Sequence, residues 1–109
     1  MSYPLQTGDE LLKVLSALDN PHRLRVLAAL SGKRNYVSQL AREVGISRPL
    51  LHIHLQRLEA AGLIAGTLEL SEDGKAMKYF EVIPFEINLT PERIIELAPT
   101  ISNENDQRS

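Results

Sequence analysis

The 109 residues are enough for one compact domain and hardly for two. A composition 43% apolar and 24% charged is that of an ordinary globular chain; no apolar run approaches the roughly 20 residues of a bilayer span, and Met1 to Glu10 lack the basic-then-apolar pattern of a signal peptide, so a cytoplasmic protein with no membrane partner is expected. The absence of cysteine excludes disulfides, thiolate metal sites, iron–sulfur clusters and a cysteine nucleophile, while the net charge of −2 counts against nucleic acid until its distribution is considered.

Taken in chain order, Thr7 with Glu10 three residues on is a capping-box pattern that opens a first helix. Leu11, Leu15 and Leu18 follow at helical spacing, and Leu12 and Val14 widen the apolar face beyond what one small core needs. That breadth predicts a contact with a second copy. Asn20 as cap and Pro21 at the first helical position begin a second helix, whose Leu24, Leu27, Ala28 and Leu30 are expected to face inward. Lys33-Arg34-Asn35 reads as an exposed basic loop.

Residues 37–45, VSQLAREVG, place Val37, Leu40, Ala41 and Val44 on one stripe of a third helix, ended by Gly45. Ile46 plugs the turn, and Ser47 caps a fourth helix running through Leu51, Leu55 and Leu58 to Ala61-Gly62. Two short helices joined by a tight turn around a glycine make a helix-turn-helix. After Leu63-Ile64 the apolar period shortens to two: residues 67–70 alternate, residues 71–74 supply turn chemistry, and residues 75–82 form a second strand. Ile83, Phe85, Ile87 and Leu89 alternate again as an extended segment laid across the domain. Thr90-Pro91-Glu92 then opens a last helix with Ile94, Ile95, Leu97 and Ala98 as its apolar face, closed before Pro99. The expected fold is mainly α with a small β-hairpin, a winged helix-turn-helix in the order α-α-α-α-β-β-α. Residues 1–8 read as an arm, 9–98 as the domain and 99–109 as a polar tail, frayed from Ser102 to Ser109.

Charge is unevenly spread. Residues 33–57 carry five basic side chains against Glu43 alone, whereas residues 58–109 carry four against ten acids. The basic excess therefore coincides with the helix-turn-helix.

The stretch LDNPHRLRVLAAL at 18–30 resembles the second-helix region of the ArsR-type winged-helix regulators. VSQLAREVGISRPLLHIHLQRLEAAGLI at 37–64 is similar to their helix-turn-helix, and Lys78-Tyr79-Phe80-Glu81-Val82 to their second wing strand, so the likeness covers roughly residues 9–98. The resemblance implies a small dimeric DNA-binding regulator, most simply a repressor. Many members sense metals through cysteines on the third helix; the equivalent stretch around Val37 to Leu40 has none, and the last helix has no histidine, so no metal or cofactor is carried over. The position of His52 usually holds a small hydroxyl residue in the family.

In a helix-turn-helix the second helix enters the major groove and its first turns reach base edges. With its leucines buried, the fourth helix would present Arg48, Pro49, His52, Ile53 and Gln56; Arg48 suits guanine, Gln56 adenine, and Pro49 or Ile53 a thymine methyl. Ser38, Arg42, Ser47, Arg57, Lys75 and Lys78 are the candidates for backbone phosphates. His54 is expected to pack against the domain and His22 to lie on the surface. His52 and His54, about 200° apart around a helix, cannot chelate one ion together. Leu11, Leu12, Leu15, Ile94, Ile95, Leu97 and Ala98 are the candidate homodimer face, and two-fold symmetry implies a pseudo-palindromic duplex. The sequence specifies no effector. No Gly-rich phosphate loop, His-Glu-x-x-His pattern or nucleophile elbow occurs, so no catalytic residue is assigned. The acidic wing tip Glu72-Asp73 leaves one alternative open, a winged-helix module for protein–protein contact in a larger assembly.

Overall fold

A computed structural model describes residues 5–102; the arm's first four residues and the tail beyond Ser102 lie outside the described residues. Helices α1 (Gly8–Leu18), α2 (Pro21–Leu30), α3 (Val37–Val44) and α4 (Arg48–Ala60) precede the hairpin of β2 (Ile64–Leu70) and β3 (Ala76–Val82), and α5 (Pro91–Leu97) follows. A two-residue strand, β1 (Asn35–Tyr36), completes an antiparallel sheet of order β1-β3-β2. The result is the winged helix-turn-helix expected from the sequence.

Local chemistry sets the helix starts. Thr7 Oγ1 accepts from Glu10 N at 3.1 Å, and the Glu10 carboxylate accepts from Gln6 N at 3.3 Å, one residue before the position a strict capping box would use. Asn20 Oδ1 accepts from both His22 N and Arg23 N, with Pro21 at the first position. Ser47 and Thr90 cap α4 and α5 in the same way. Gly45 ends α3 at φ 80°, where its N–H reaches Ala41 O at 2.8 Å, and this left-handed step turns the chain into α4.

The core gathers around α4. Leu51, Leu55 and Leu58 pack with Val14, Val26, Leu30, Leu40, Leu63, Ile64 and Phe80, all buried. Each such leucine contributes about 1.5–3 kcal/mol through removal from water. The stripe on α3 is as read from the sequence: Leu40 and Ala41 are buried, and Val37 and Val44 pack at the core's edge.

Several expectations need correction. On α1 the core takes Leu11 with Val14 and Ala17, so Leu11 does not belong to the face expected to meet a second copy, while Leu12 and Leu15 are exposed; the smaller Val14 and Ala17 let α1 lie close against its neighbours. On α2 it takes Val26, Leu27 and Leu30, while Leu24 and Ala28 face outward. The rotation of α2 follows from Arg23, one turn before Val26. Its Nε donates to Ala17 O at 2.6 Å and its Nη2 to Ser16 O at 3.1 Å. These are carbonyls of the last turn of α1, which has no basic residue of its own there.

The basic loop is the third correction. Asn35 is buried in β1, paired with Phe80, and its amide donates to Glu43, because β3 needs a partner on its far edge. Fourth, Phe85 and Ile87 do pack against the core, and Ile83 is half-buried with its N bonded to Leu63 O at 2.9 Å, but Leu89 is exposed. After α5, Ala98–Thr100 form a 3-10 turn that contains Pro99. Residues 99–102, read as the start of the tail, are tied to α1: Gly8 N donates to Thr100 Oγ1 at 2.6 Å and Ser102 N to Asp9 Oδ1 at 3.0 Å.

Two glycines give contrasting tests. A Cβ on Gly8 would come within 2.4 Å of Ile101 Cγ1 and 2.7 Å of Leu97 O, a backbone atom. Gly8→Ala is expected to destabilise by about 1–3 kcal/mol through overpacking, outweighing the gain of up to about 1 kcal/mol from helix propensity. A Cβ on Gly45 would meet nothing within 4 Å, so Gly45→Ala should cost only the left-handed backbone penalty of about 1–2 kcal/mol. Urea unfolding of the two variants checks both, and Gly45→Asn should recover part of the loss while Gly8→Asn should not.

Candidate nucleic-acid interface

The exposed arc of α4 is built by what the opposite arc buries. With Leu51, His54, Leu55 and Leu58 inside, Arg48, Pro49, His52, Ile53 and Gln56 all stand exposed on the other side. Ile53 leaves 54% of its surface open to solvent. The arc therefore offers a bidentate cation, an imidazole and an amide beside apolar surface, the mixture that base edges and thymine methyls require.

The phosphate candidates separate into groups. Ser38, Arg48 and Lys78 come together on one cleft of about 200 Å³, which Tyr36, Val37, Ala76 and Met77 also line. The first turn of α3, the first residue of α4 and the second wing strand meet there. Tyr36 caps α3 without a side-chain hydrogen bond. Lys78 extends over the Phe80 ring, Nζ 5.3 Å from its centre, which supports its stem without neutralising its charge. Ser47 is exposed but its Oγ accepts from Leu50 N at 3.3 Å, and Arg42 is exposed with its guanidinium on Gln39 Oε1 at 2.6 Å. Arg57 stands apart, on a groove between α1 and α4 with Lys13, Ser16, Ala17 and Ala60. Lys75 is at the wing turn, 4.0 Å from Asp73.

The basic excess of residues 33–57 is smaller in three dimensions than in the sequence. Lys33 pairs with Glu43 at 3.8 Å, and Arg34 makes a bidentate pair with Glu69 of the wing. The Arg34 guanidinium holds the Glu69 carboxyl below its ordinary value, and Glu69 raises Arg34 in return. Arg34 also lies over Tyr79, Cζ 4.5 Å from the ring centre, and Tyr79 meets Tyr36 edge-on at 5.7 Å. Sequence reasoning missed this cluster; the available signal was the alternation that puts Tyr79, Glu69 and Thr67 on one face of the hairpin. Arg42, Arg48 and Arg57 remain without a carboxylate partner among the ion pairs of the described residues. At the wing tip, the Ser71 hydroxyl donates to Asp73 and keeps that carboxyl below its usual range.

The dimer candidates also divide. Leu12, Leu15, Ile94, Ile95 and Ala98 are exposed, Ile95 to 71%. Leu11 and Leu97 are buried within the chain, which corrects their assignment to that face. The close approach at Gly8 docks the end of α5 on α1 and consumes the surface between them. His54 packs into the domain as expected; His22 is partly buried instead of lying free on the surface, with its ring centre 5.5 Å from that of His54. Among the described residues no group of three or more His, Asp or Glu could hold a metal ion, and no helix is long and apolar enough to cross a membrane.

Comparison with known proteins agrees with this geometry. Residues 20–65 match the family model described as bacterial regulatory protein, arsR family. An uncharacterized HTH-type transcriptional regulator of Methanocaldococcus jannaschii is 32% identical over 88 residues, covering 81% of this chain and 92% of the relative. Among solved structures, an ArsR-like transcriptional regulator from Rhodococcus sp. RHA1 superposes with a TM-score of 0.63 at 25% identity, covering 92% of this chain and 86% of that one. A homodimeric winged helix-turn-helix DNA-binding domain from Mycobacterium bovis, described as a possible ArsR-family regulator, gives 0.61 at 26% identity over 68% of this chain and 64% of its own.

Proposed function

The chain belongs to the arsR family of bacterial regulatory proteins, DNA-binding transcriptional regulators and not enzymes, and from that premise we propose that it is a homodimeric repressor that reads a pseudo-palindromic operator in the cytoplasm. The observation that carries this reading is the exposed polar arc of α4 flanked by the Ser38–Arg48–Lys78 cleft. In it Arg48 and His52 reach base edges first, Pro49, Ile53 and Gln56 extend the readout along α4, and Ser38, Ser47, Arg42 and Lys78 hold backbone phosphate. Arg48 belongs to both sets, since it stands at the cleft and at the start of the recognition arc. Arg57 and Lys75 contribute charge from the flanks.

Two recognition helices need a fixed spacing, and the exposed Leu12, Leu15, Ile94 and Ile95 supply the apolar surface for a second copy. The Mycobacterium bovis relative, itself described as homodimeric, supports this arrangement. Half-sites would then lie about 10 base pairs, or a small multiple, apart.

A second reading has one observation in its favour. Leu68 and Leu70 of the wing are 69% and 75% exposed beside the acidic tip of Glu72 and Asp73, a surface that suits a protein better than a phosphate backbone. Salt separates the two readings, because phosphate neutralisation makes affinity fall steeply with ionic strength and an apolar interface does not.

Fluorescence anisotropy of a duplex from upstream of the chain's own gene, at two salt concentrations and against a scrambled duplex, is the decisive measurement. Binding should be salt-sensitive and should favour the native duplex, and Arg48→Ala/His52→Ala should lose about 1–3 kcal/mol per contact removed. Equal, weak, salt-insensitive binding to both duplexes would move the reading to protein contact. In light scattering, Leu15→Glu/Ile95→Glu should convert a dimer to a monomer while the far-ultraviolet helix signal persists; a wild-type chain that is monomeric throughout would undo the dimer.

A further inference from the structure

Arg23 does more than cover the end of α1. Its Nη1 lies 3.2 Å from His54 Nδ1, so one guanidinium touches the last turn of α1 and the buried flank of the recognition helix. A guanidinium only donates, so His54 Nδ1 must accept. That fixes the neutral tautomer of His54 and places its proton on Nε2. In the structure Nε2 is buried and meets no hydrogen-bond acceptor, and His22 Nδ1 is likewise buried without a partner. The two rings lie 5.5 Å apart, tilted by 39°. One ring has a spare donor and the other a spare acceptor if the proton of His22 is on its own Nε2. Turning the rings toward one another would pair the spare donor with the spare acceptor, and a buried polar group left unpaired is costly.

We propose that Arg23, His54 and His22 form a hydrogen-bonded latch that holds α4 against the α1–α2 corner and opens when either imidazole takes up a proton. A proton on His54 Nδ1 would set an N–H against the guanidinium; a proton on His22 Nδ1 would set one against His54 Nε2–H. Both clash. The charged and titratable groups that face His54 are Arg23 and His22 of α2. From α1 the latch meets the carbonyls of Ser16 and Ala17, and Lys13 of α1 and Arg57 of α4 stand on the adjoining groove. These side chains are cations or become cations, so no attraction offsets the added proton. Burial first, then Arg23 and His22, hold the His54 imidazole below its ordinary value. The unfolded state takes up this proton more readily, so stability present above the ordinary histidine value of about 6.5 is lost as pH falls below it, through the lower folded value. Arg23 and His54 are positioning residues: they set the helix that carries Arg48 and His52 without meeting the duplex.

As a control on DNA affinity the latch rests on the recognition function proposed above, and the test keeps the two apart. Nitrogen-15 NMR of the imidazoles at pH 7.5 should find the proton of His54 on Nε2 and hydrogen-bonded to Nδ1 of His22; a proton on Nδ1 of His54 would overturn the latch. Duplex affinity should fall by about tenfold between pH 7.5 and pH 5.5. In His22→Gln/His54→Gln, which keeps donors and acceptors but does not titrate, the fall should be clearly smaller; equal falls would refute the proposal. His52 is present in both proteins, so any effect of its own cancels from the comparison. If no duplex is bound at any pH, the recognition reading fails, and the latch is judged by melting temperature. The wild type should then lose more stability on acidification than the double variant, and equal losses would sink it. Should the double variant not fold, the tautomer of the wild type decides.

Discussion

The polar arc of α4 depends on the leucines behind it. Leu51, Leu55 and Leu58 are buried against Leu40 of α3 and against Val14, Val26 and Leu30 of the first two helices, and this contact fixes both the rotation of α4 and its angle to the turn. Because an α-helix has a fixed 3.6-residue period, burying those three leaves Arg48, His52 and Gln56 no choice but to face outward. Apolar packing thus aims the side chains that would meet DNA. Gly45 makes this possible at the level of the backbone, since the left-handed step between α3 and α4 lets two helices joined by so short a turn share one core.

Elements whose signal is local were legible in the sequence. The caps at Thr7, Asn20, Ser47 and Thr90, the stripe of α3 and the shift to a two-residue period at the wing all reappear in the structure where spacing placed them. The misreadings share another character. Leu24 and Ala28 were counted with the inward face of α2 because hydrophobicity alone does not say which of two overlapping stripes a helix buries. That choice was made by Arg23, whose bonds to Ala17 and Ser16 depend on the tertiary corner between α1 and α2. β1 escaped for the same reason: two residues carry no periodicity, and Asn35–Tyr36 become a strand only because β3 offers an open edge.

Charge was the least transferable reading. A run of basic residues around the helix-turn-helix suggested a continuous cationic surface, yet Arg34 reaches across to Glu69 and Lys33 to Glu43. Neither pair adjoins in sequence. What lines the cleft is a smaller set, Arg48 and Lys78 with the Ser38 hydroxyl, while His52 stands exposed on α4. Such a surface binds through placement more than through bulk charge. It is also compatible with an acidic chain as a whole, because fields from distant carboxylates are screened over a Debye length of about 8–10 Å in physiological salt.

The bond from Gly8 N to Thr100 Oγ1 spans 92 positions of sequence. A ribosome makes the donor long before the acceptor, and the first turn of α1 has its other partners, Leu97 and Ile101, in the same late segment. The helix-turn-helix and the wing can therefore collapse around their leucines while α1 still lacks its cover. Vectorial synthesis thus presents the first turn of α1 before the segment that covers it has been made.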